Sequence, residues 1–107
     1  MKSDEDIPEF VFEKPPKRER TLEKNIVAHA VNTGWEAYKT KCENRVGFPD
    51  RMFIKNARIV FMEIKKKVGG VRSPKQIEQI GILTDNEVEA LFVDTLEQAV
   101  EILNFGD

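Results

Sequence analysis

The last 32 residues of the chain contain no lysine or arginine, although they contain eight aspartates and glutamates. Residues 14–75 have the opposite bias, with 16 basic and six acidic residues, an excess of ten. The formal net charge of −2 therefore conceals a basic region. Such a region supplies the salt-dependent part of phosphate binding. On charge alone, a solvated face balanced by acidic helices is the alternative interpretation.

The chain also has little cysteine and no long apolar run. Its one cysteine, Cys42, excludes an internal disulfide, so we expect a reducing, cytoplasmic location. Cys42 is a weak candidate nucleophile, because the single His29 falls in a different predicted element. No stretch approaches the roughly 18 apolar residues of a membrane span, and the acidic N-terminal residues lack the apolar core of a secretory signal. The 107 residues predict one domain with a single core.

Residues 1–20 are predicted to form a flexible arm, since three prolines and many charges occur there with little periodicity. Phe10, Val11 and Phe12 are the exception, and we expect them to dock on the body or on a second subunit. The basic residues 14–20 either contact a nucleic-acid backbone or belong to a disordered tail. The folded domain is expected over residues 21–107.

Apolar spacing predicts a first helix over residues 21–33, with Thr21 as its N-cap and Gly34 as its stop. Three strands are predicted next, at 35–41, 52–54 and 58–66. The turn at 55–58 lacks the glycine that a two-residue hairpin favours.

Ser73 and Gln76 form a capping-box pattern that opens a second helix with Ile77, Ile80 and Leu83 inward. It is predicted to end at residues 85–86, where Asn86 can adopt the left-handed conformation. A strand at 88–93 and a last helix, opened by a second capping-box pattern at Thr95 and Gln98, complete the order α-β-β-β-α-β-α. This order indicates an α/β fold in which helices flank a mixed sheet.

The segment from residue 47 to residue 65 contains the candidate site. Residues 47–50 read Gly-Phe-Pro-Asp, and an antiparallel return strand would bring Asp50 to the end of the strand that carries Glu63. Side chains alternate along a strand, so Glu63 and Lys65 share a face. Two carboxylates suit Mg²⁺, the carbonyl of Ile64 is a further candidate ligand, and the lysine suits an attacked phosphate. The alternative is an ordinary ion pair between Glu63 and Lys65 at a strand end.

Four pieces in this order resemble the VRR-NUC domains, the virus-type replication-repair nucleases of the PD-(D/E)XK superfamily. They are Glu23 on the first helix, the Gly-Phe-Pro-Asp turn, Glu-Ile-Lys at 63–65, and Ser-Pro-Lys-Gln at 73–76. The resemblance covers roughly residues 20–104 and implies a restriction-endonuclease-like mixed sheet. Two features depart from the family: Phe48 is bulkier than its usual small aliphatic, and residues 85–87 replace its usual glycine.

The resemblance implies divalent-metal-dependent cleavage of DNA. By position, Asp50 and Glu63 would be ligands of Mg²⁺ or Mn²⁺, Lys65 would lie beside the nucleophilic water, and Glu23 would reach the metal directly or through water. Gln76 matches a glutamine of the family's site, and its roles as capping residue and site residue remain open alternatives. Branched, junction or flap DNA, a homodimer, a role in DNA repair and a phage-encoded origin are further expectations from the resemblance.

Two rival functions remain at this point. A non-catalytic nucleic-acid-binding module on the same fold would keep the basic region without needing the carboxylates and lysine together. A structural phage protein would account for the size and the arm, and it would leave the candidate site unexplained.

Overall fold

The computed structural model describes residues 14–65 and 71–105. Three helices and four strands follow one another in the order α-β-β-β-α-β-α, which confirms the predicted fold class. Among these residues, no helix is both long and apolar enough to cross a membrane. The elements are α1 (Lys14–Asn32), β1 (Glu36–Lys39), β2 (Arg51–Lys55), β3 (Arg58–Ile64), α2 (Pro74–Asp85), β4 (Glu89–Val93) and α3 (Leu96–Asn104).

The four strands form one mixed sheet in the order β1-β2-β3-β4. The first two pairings are antiparallel, whereas β3 and β4 run parallel. A parallel pair requires a crossover connection, and α2 is the helix in it. Helices α1 and α3 contact each other and cover one face of the sheet. The fully buried side chains of this core include Ile26, Ala30, Phe53, Val60, Met62, Val93, Ala99 and Leu103.

Helix α1 begins at Lys14, so the predicted start at Thr21 is wrong and Thr21 lies inside the helix. Pro15 and Pro16 occupy the first turn, where a missing N–H breaks no helical hydrogen bond. The charged residues after them are good helix formers. The rest of the predicted arm, residues 1–13 with the apolar triplet at 10–12, lies outside the described residues.

The β2–β3 hairpin closes with a two-residue turn that contains no glycine. Asn56 and Ala57 have φ angles of 50° and 70°, and positive φ at both central residues is typical of a type I′ turn. Asn tolerates this region, whereas Ala57 is strained there. The turn sets the register of the two strands and thereby decides which residues meet at their far end.

Helix α2 has the predicted capping box and the predicted end. Of the three residues predicted inward, Ile80 and Leu83 are half-buried, and only Ile77 is wrong. Ile77 is 53% exposed, and the buried residue of this helix is Gln79. The inward face of α2 includes Gln76 and Gln79 and is therefore partly polar. At the C-terminal end, Asn86 keeps a negative φ of −97°, and Glu87 adopts the left-handed conformation instead.

Helix α3 begins after Thr95, whose side chain accepts a hydrogen bond from the N–H of Gln98, as the capping pattern predicted. The side chain of Gln98 binds the N–H of Asp94 instead of completing the box. Ala99 and Leu103 face the core.

Candidate active site

The register of the β2–β3 hairpin places Asp50 opposite Glu63. Arg51 pairs with Met62, so one further step along the antiparallel ladder sets residue 50 against residue 63. The N–H of Thr40 donates to the carbonyl of Asp50 at 2.9 Å, which turns the peptide groups of Asp50 toward β1. Residues opposed in this way form a non-hydrogen-bonded pair, whose Cβ atoms lie about 4.5–5.5 Å apart. This register puts both side chains on the same face at the end of the sheet.

The carbonyl of Ile64 is directed to the same end of the sheet. The N–H of Lys65 donates to the carbonyl of Val93 at 2.9 Å, so the peptide groups of Lys65 point to β4 and those of Ile64 point to β2. The pairing of β3 with β2 ends at Met62 and Arg51, and the carbonyl of Pro49 accepts from Oγ of Thr40 at 2.8 Å. Proline has no N–H and cannot donate a ladder hydrogen bond to Ile64. The carbonyl oxygen of Ile64 therefore stays a candidate further ligand.

Glu63 is buried, with 6% of its surface exposed, and it is held by the first turn of α2. Nε2 of Gln76 donates to Oε2 of Glu63 at 3.1 Å. Oε1 of Gln76 accepts from the N–H of Ser73 at 3.0 Å, and the N–H of Gln76 donates to Oγ of Ser73 at 3.1 Å. The oxygen of Gln76 thus serves the helix cap as one alternative predicted, while its nitrogen binds Glu63. Its role as a site residue stays a prediction.

Lys65 lies on the same side of the sheet as Glu63, with Nζ 3.9 Å from Oε2. This distance is longer than a hydrogen bond. The lysine side chain is 22% exposed and that of Glu63 is 8% exposed. The ammonium group can therefore turn toward a third group without breaking a short bond.

The turn before Asp50 packs directly on α2. Gly47 has a φ of +91°, and a Cβ there would lie 2.5 Å from the carbonyl carbon of Lys75. Glycine is needed at this position for both reasons. The ring of Phe48 meets that of Phe61 edge to face, with centroids 5.3 Å apart, so the bulkier residue at position 48 has a packing partner. The loop that carries Asp50 is thereby fixed against the helix that holds Glu63.

Glu23 is engaged elsewhere. Its Oε2 accepts from Nε of Arg51 at 2.6 Å and from Nζ of Lys39 at 3.3 Å. Burial raises the pKa of Glu23, but the hydrogen bonds and charges of Arg51 and Lys39 outweigh it, and the pKa lies below its usual value. Among the described residues, no three His, Cys, Asp or Glu side chains group closely enough to hold a metal ion. The structure thus does not gather Glu23, Asp50 and Glu63 into one three-carboxylate group.

The donors at the strand end suit a hard divalent cation. Two carboxylates and one carbonyl supply only oxygen, and Mg²⁺ keeps several waters, so one or two carboxylates suffice to hold it. Cys42 and His29 have other partners. The thiol of Cys42 contacts Oδ1 of Asn44 at 3.1 Å, and Nε2 of His29 lies 3.3 Å from Oδ1 of Asn104.

Two cations near the site, Arg51 and Arg72, were not predicted from the sequence. Arg51 follows Asp50, and strand alternation alone places it on the opposite face, toward α1. Arg72 lies with Cζ 4.4 Å from the ring centroid of Phe92, and Phe92 pairs with Glu63 across the parallel ladder. The sequence feature that could have identified Arg72 is its position directly before Ser73, the N-cap of α2.

No family model and no curated protein match this chain. Among the solved structures that match this chain are the following two. A "VRR_NUC domain" structure is 20% identical, with a TM-score of 0.75, over 84% of this chain and 98% of that one. A "VRR_NUC domain protein" is 16% identical, with a TM-score of 0.65, over 79% of this chain and 84% of that one. The chain therefore has the fold of the VRR-NUC domain.

Proposed function

We propose that this protein is a divalent-metal-dependent DNA endonuclease that hydrolyses phosphodiester bonds. The observation that carries the proposal is the hairpin register, in which Arg51 pairs with Met62 one step from Asp50 and Glu63, with Nζ of Lys65 3.9 Å from Oε2 of Glu63. The fold shared with two VRR_NUC structures adds support.

Asp50, Glu63 and the carbonyl of Ile64 are the groups that would hold Mg²⁺ or Mn²⁺. A cation bound there would polarise a phosphoryl oxygen and lower the pKa of a coordinated water. Phosphodiester hydrolysis requires on the order of 20 kcal/mol of barrier reduction. Positioning supplies about 7–11 kcal/mol, so the electrostatic contribution of a cation is needed.

The protein's own side chains have three separate tasks in this proposal. Lys65 donates to the water or to the phosphate oxygens as negative charge develops. Gln76 keeps the buried carboxylate of Glu63 directed at the site. Glu23 holds Arg51 and thereby the strand end next to Asp50, and it would reach the cation only through water.

The exposed cations support DNA as the substrate. The side chains of Lys41, Arg45, Arg72 and Lys75 are exposed in the segments that flank the site, and such groups bind phosphate backbones. We extend the proposal to branched or flapped DNA cut by a homodimer, in which two sites would act on two strands. A non-catalytic binding module on this fold is the second candidate, and it would not need Asp50, Glu63 and Lys65 together.

The test is a cleavage assay on labelled junction, flap, duplex and single-stranded DNA, with Mg²⁺, with Mn²⁺ and with chelator. We expect metal-dependent cleavage that Asp50→Ala and Lys65→Ala each reduce by at least about 100-fold, while DNA binding persists. Lys24→Ala removes an exposed cation of α1 and serves as the matched control.

Each result decides between the candidates. Binding without turnover on any substrate would favour the non-catalytic module. Full activity in either site variant would remove the proposed site.

A further inference from the structure

Gln79 is a buried polar residue that the site described above does not use. It is 6% exposed and lies on α2 one turn after Gln76. No hydrogen bond of its carboxamide is found within the described part of the chain. Among the described residues, Nε1 of Trp35 is the one side-chain polar atom that has neither a hydrogen-bond partner nor access to solvent. The carboxamide of Gln79 has no partner either, so it must keep access to solvent through an opening.

That opening is a cavity of about 330 Å³ beside α2. Arg45, Lys75 and Glu78 supply its charged lining, and Val46 and Ile82 supply apolar walls. Lys75 and Glu78 form a loose pair, with Nζ 3.9 Å from Oε1 and both side chains more than half exposed. Arg45 pairs with no carboxylate among the described residues, so the lining has a net charge of +1.

The cavity adjoins the candidate active site. Gln76 and Gln79 are three residues apart, so they share one face of α2 with a rise of about 4.5 Å between them. Gln76 binds Glu63, and the backbone of Lys75 packs on the turn before Asp50. A strand whose phosphate lies at the carboxylates would therefore have a neighbouring nucleotide at the cavity.

We propose that this cavity, lined by Gln79, Arg45 and Lys75, binds one unpaired nucleotide next to the scissile phosphate. The inference rests on the proposed nuclease function, because only that function makes the neighbouring phosphate the one that is cut. A carboxamide presents a donor and an acceptor together, which suits the Watson–Crick edge of a base. Base pairing occupies that edge in a duplex, so the base that enters is unpaired.

The other lining residues fit the same ligand. Val46 and Ile82 contact the flat, apolar face of the base, and the cations Arg45 and Lys75 contact the adjoining phosphate. The volume lies at the lower end of the range for ligand pockets, about 300–1,000 Å³, which suits one base. The structure thereby selects substrates with a single-stranded segment at the cut.

The test is an abasic scan of DNA binding without cleavage. Fluorescein-labelled flap oligonucleotides, each with one abasic nucleotide at a successive position along the flap and junction, are titrated with the full chain in chelator at fixed salt. We expect one position at which the missing base weakens binding roughly five- to hundredfold. Gln79→Leu, which keeps the volume and removes both hydrogen-bonding groups, should reduce that step markedly while its thermal unfolding matches the wild type.

Two further variants separate base binding from general charge. Arg45→Ala should weaken binding to every oligonucleotide and lower the salt dependence by about one counterion. Lys24→Ala, the same charge change on α1, should leave the abasic profile unchanged. An abasic profile with no step in the wild type, or a step of full size in Gln79→Leu, overturns the inference.

The binding and cleavage results can fail separately. A clear step in a protein that cleaves no DNA would support the nucleotide site and remove the nuclease function. Metal-dependent cleavage with a flat abasic profile would support the nuclease function and remove the nucleotide site.

Discussion

The carboxamide of Gln76 donates to the buried carboxylate of Glu63 at 3.1 Å while its oxygen accepts from the N–H of Ser73 at 3.0 Å. One side chain thus links the cap of α2 to the central strand β3. The stability of the helix start and the orientation of Glu63 are therefore coupled, and substitutions can separate them.

Gln76→Glu should separate the two roles. A glutamate at this position keeps the capping box, but it replaces the donor that faces Glu63 with a second carboxylate. We expect cleavage and metal affinity to fall by about 10- to 100-fold, with little change in the cap. Ser73→Ala is the converse variant and should lose about 1 kcal/mol of unfolding free energy with cleavage largely kept. Cleavage rates over a Mg²⁺ titration, with urea unfolding of both variants, check this; equal activity of the two would contradict it.

The ion pair of Glu23 should make stability depend on pH. The pKa of Glu23 in the folded state lies below its usual value of 4.5 because Arg51 and Lys39 outweigh the effect of burial. The pair therefore stabilises the fold above about pH 4.5. That stability is lost as the pH falls through the lowered pKa.

Glu23→Gln should accordingly cost about 1–2 kcal/mol near pH 7, and this difference from the wild type should shrink below pH 4. Thermal unfolding of both proteins between pH 3 and pH 7 measures it. A difference that stays constant over this range would show that the ion pair contributes no net stability.

Arg58→Lys should destabilise the fold although it conserves charge. Arg58 forms two hydrogen bonds of 2.8 Å with the carboxylate of Glu89 and also donates to the carbonyls of Ile102 and Phe105 at the end of α3. The hydrogen bonds from Arg58 have the largest effect on the pKa of Glu89 and lower it. Burial raises this pKa and the charge of Arg58 lowers it further, so it lies below its usual value. A lysine cannot reproduce this fork. We expect a loss of about 2 kcal/mol in urea unfolding, and an unchanged midpoint would argue against the fork as a stabilising contact.

Ala57→Gly should stabilise the β2–β3 hairpin. Ala57 has a φ of 70°, where a Cβ costs roughly 1 kcal/mol and glycine has no such cost. The greater freedom of glycine in the unfolded chain offsets part of the gain. Urea unfolding should show an increase of about 0.5 kcal/mol, and Asn56→Gly should gain less because asparagine tolerates this conformation. A loss of stability in Ala57→Gly would show that the turn is not strained.

Much of the fold followed from local patterns. Apolar spacing located all seven elements, and Ser73 with Gln76 identified the start of α2 because a capping box is a contact between neighbours in sequence. The errors lie where local patterns compete. Pro15 and Pro16 looked like an arm but occupy the first turn of α1, and Ile77 looked buried although Gln79 is the buried residue.

The candidate site divides in the same way. Strand alternation alone puts Glu63 and Lys65 on one face, and the antiparallel return places Asp50 near them. Glu23 could not be placed from the sequence, since its ion pair with Arg51 depends on how α1 crosses the sheet. The double role of Gln76 needed the distance between α2 and β3.

The amino-acid sequence by itself determined the elements, their order and the charges that each carries, because these depend on propensities and contacts within a few residues. Only the tertiary structure decided that Glu23 binds Arg51 and Lys39, that Gln76 binds Glu63, and that a second glutamine of α2 lies buried at a cavity. Those outcomes depend on strand register and helix placement, and such relationships join residues that are distant in the chain.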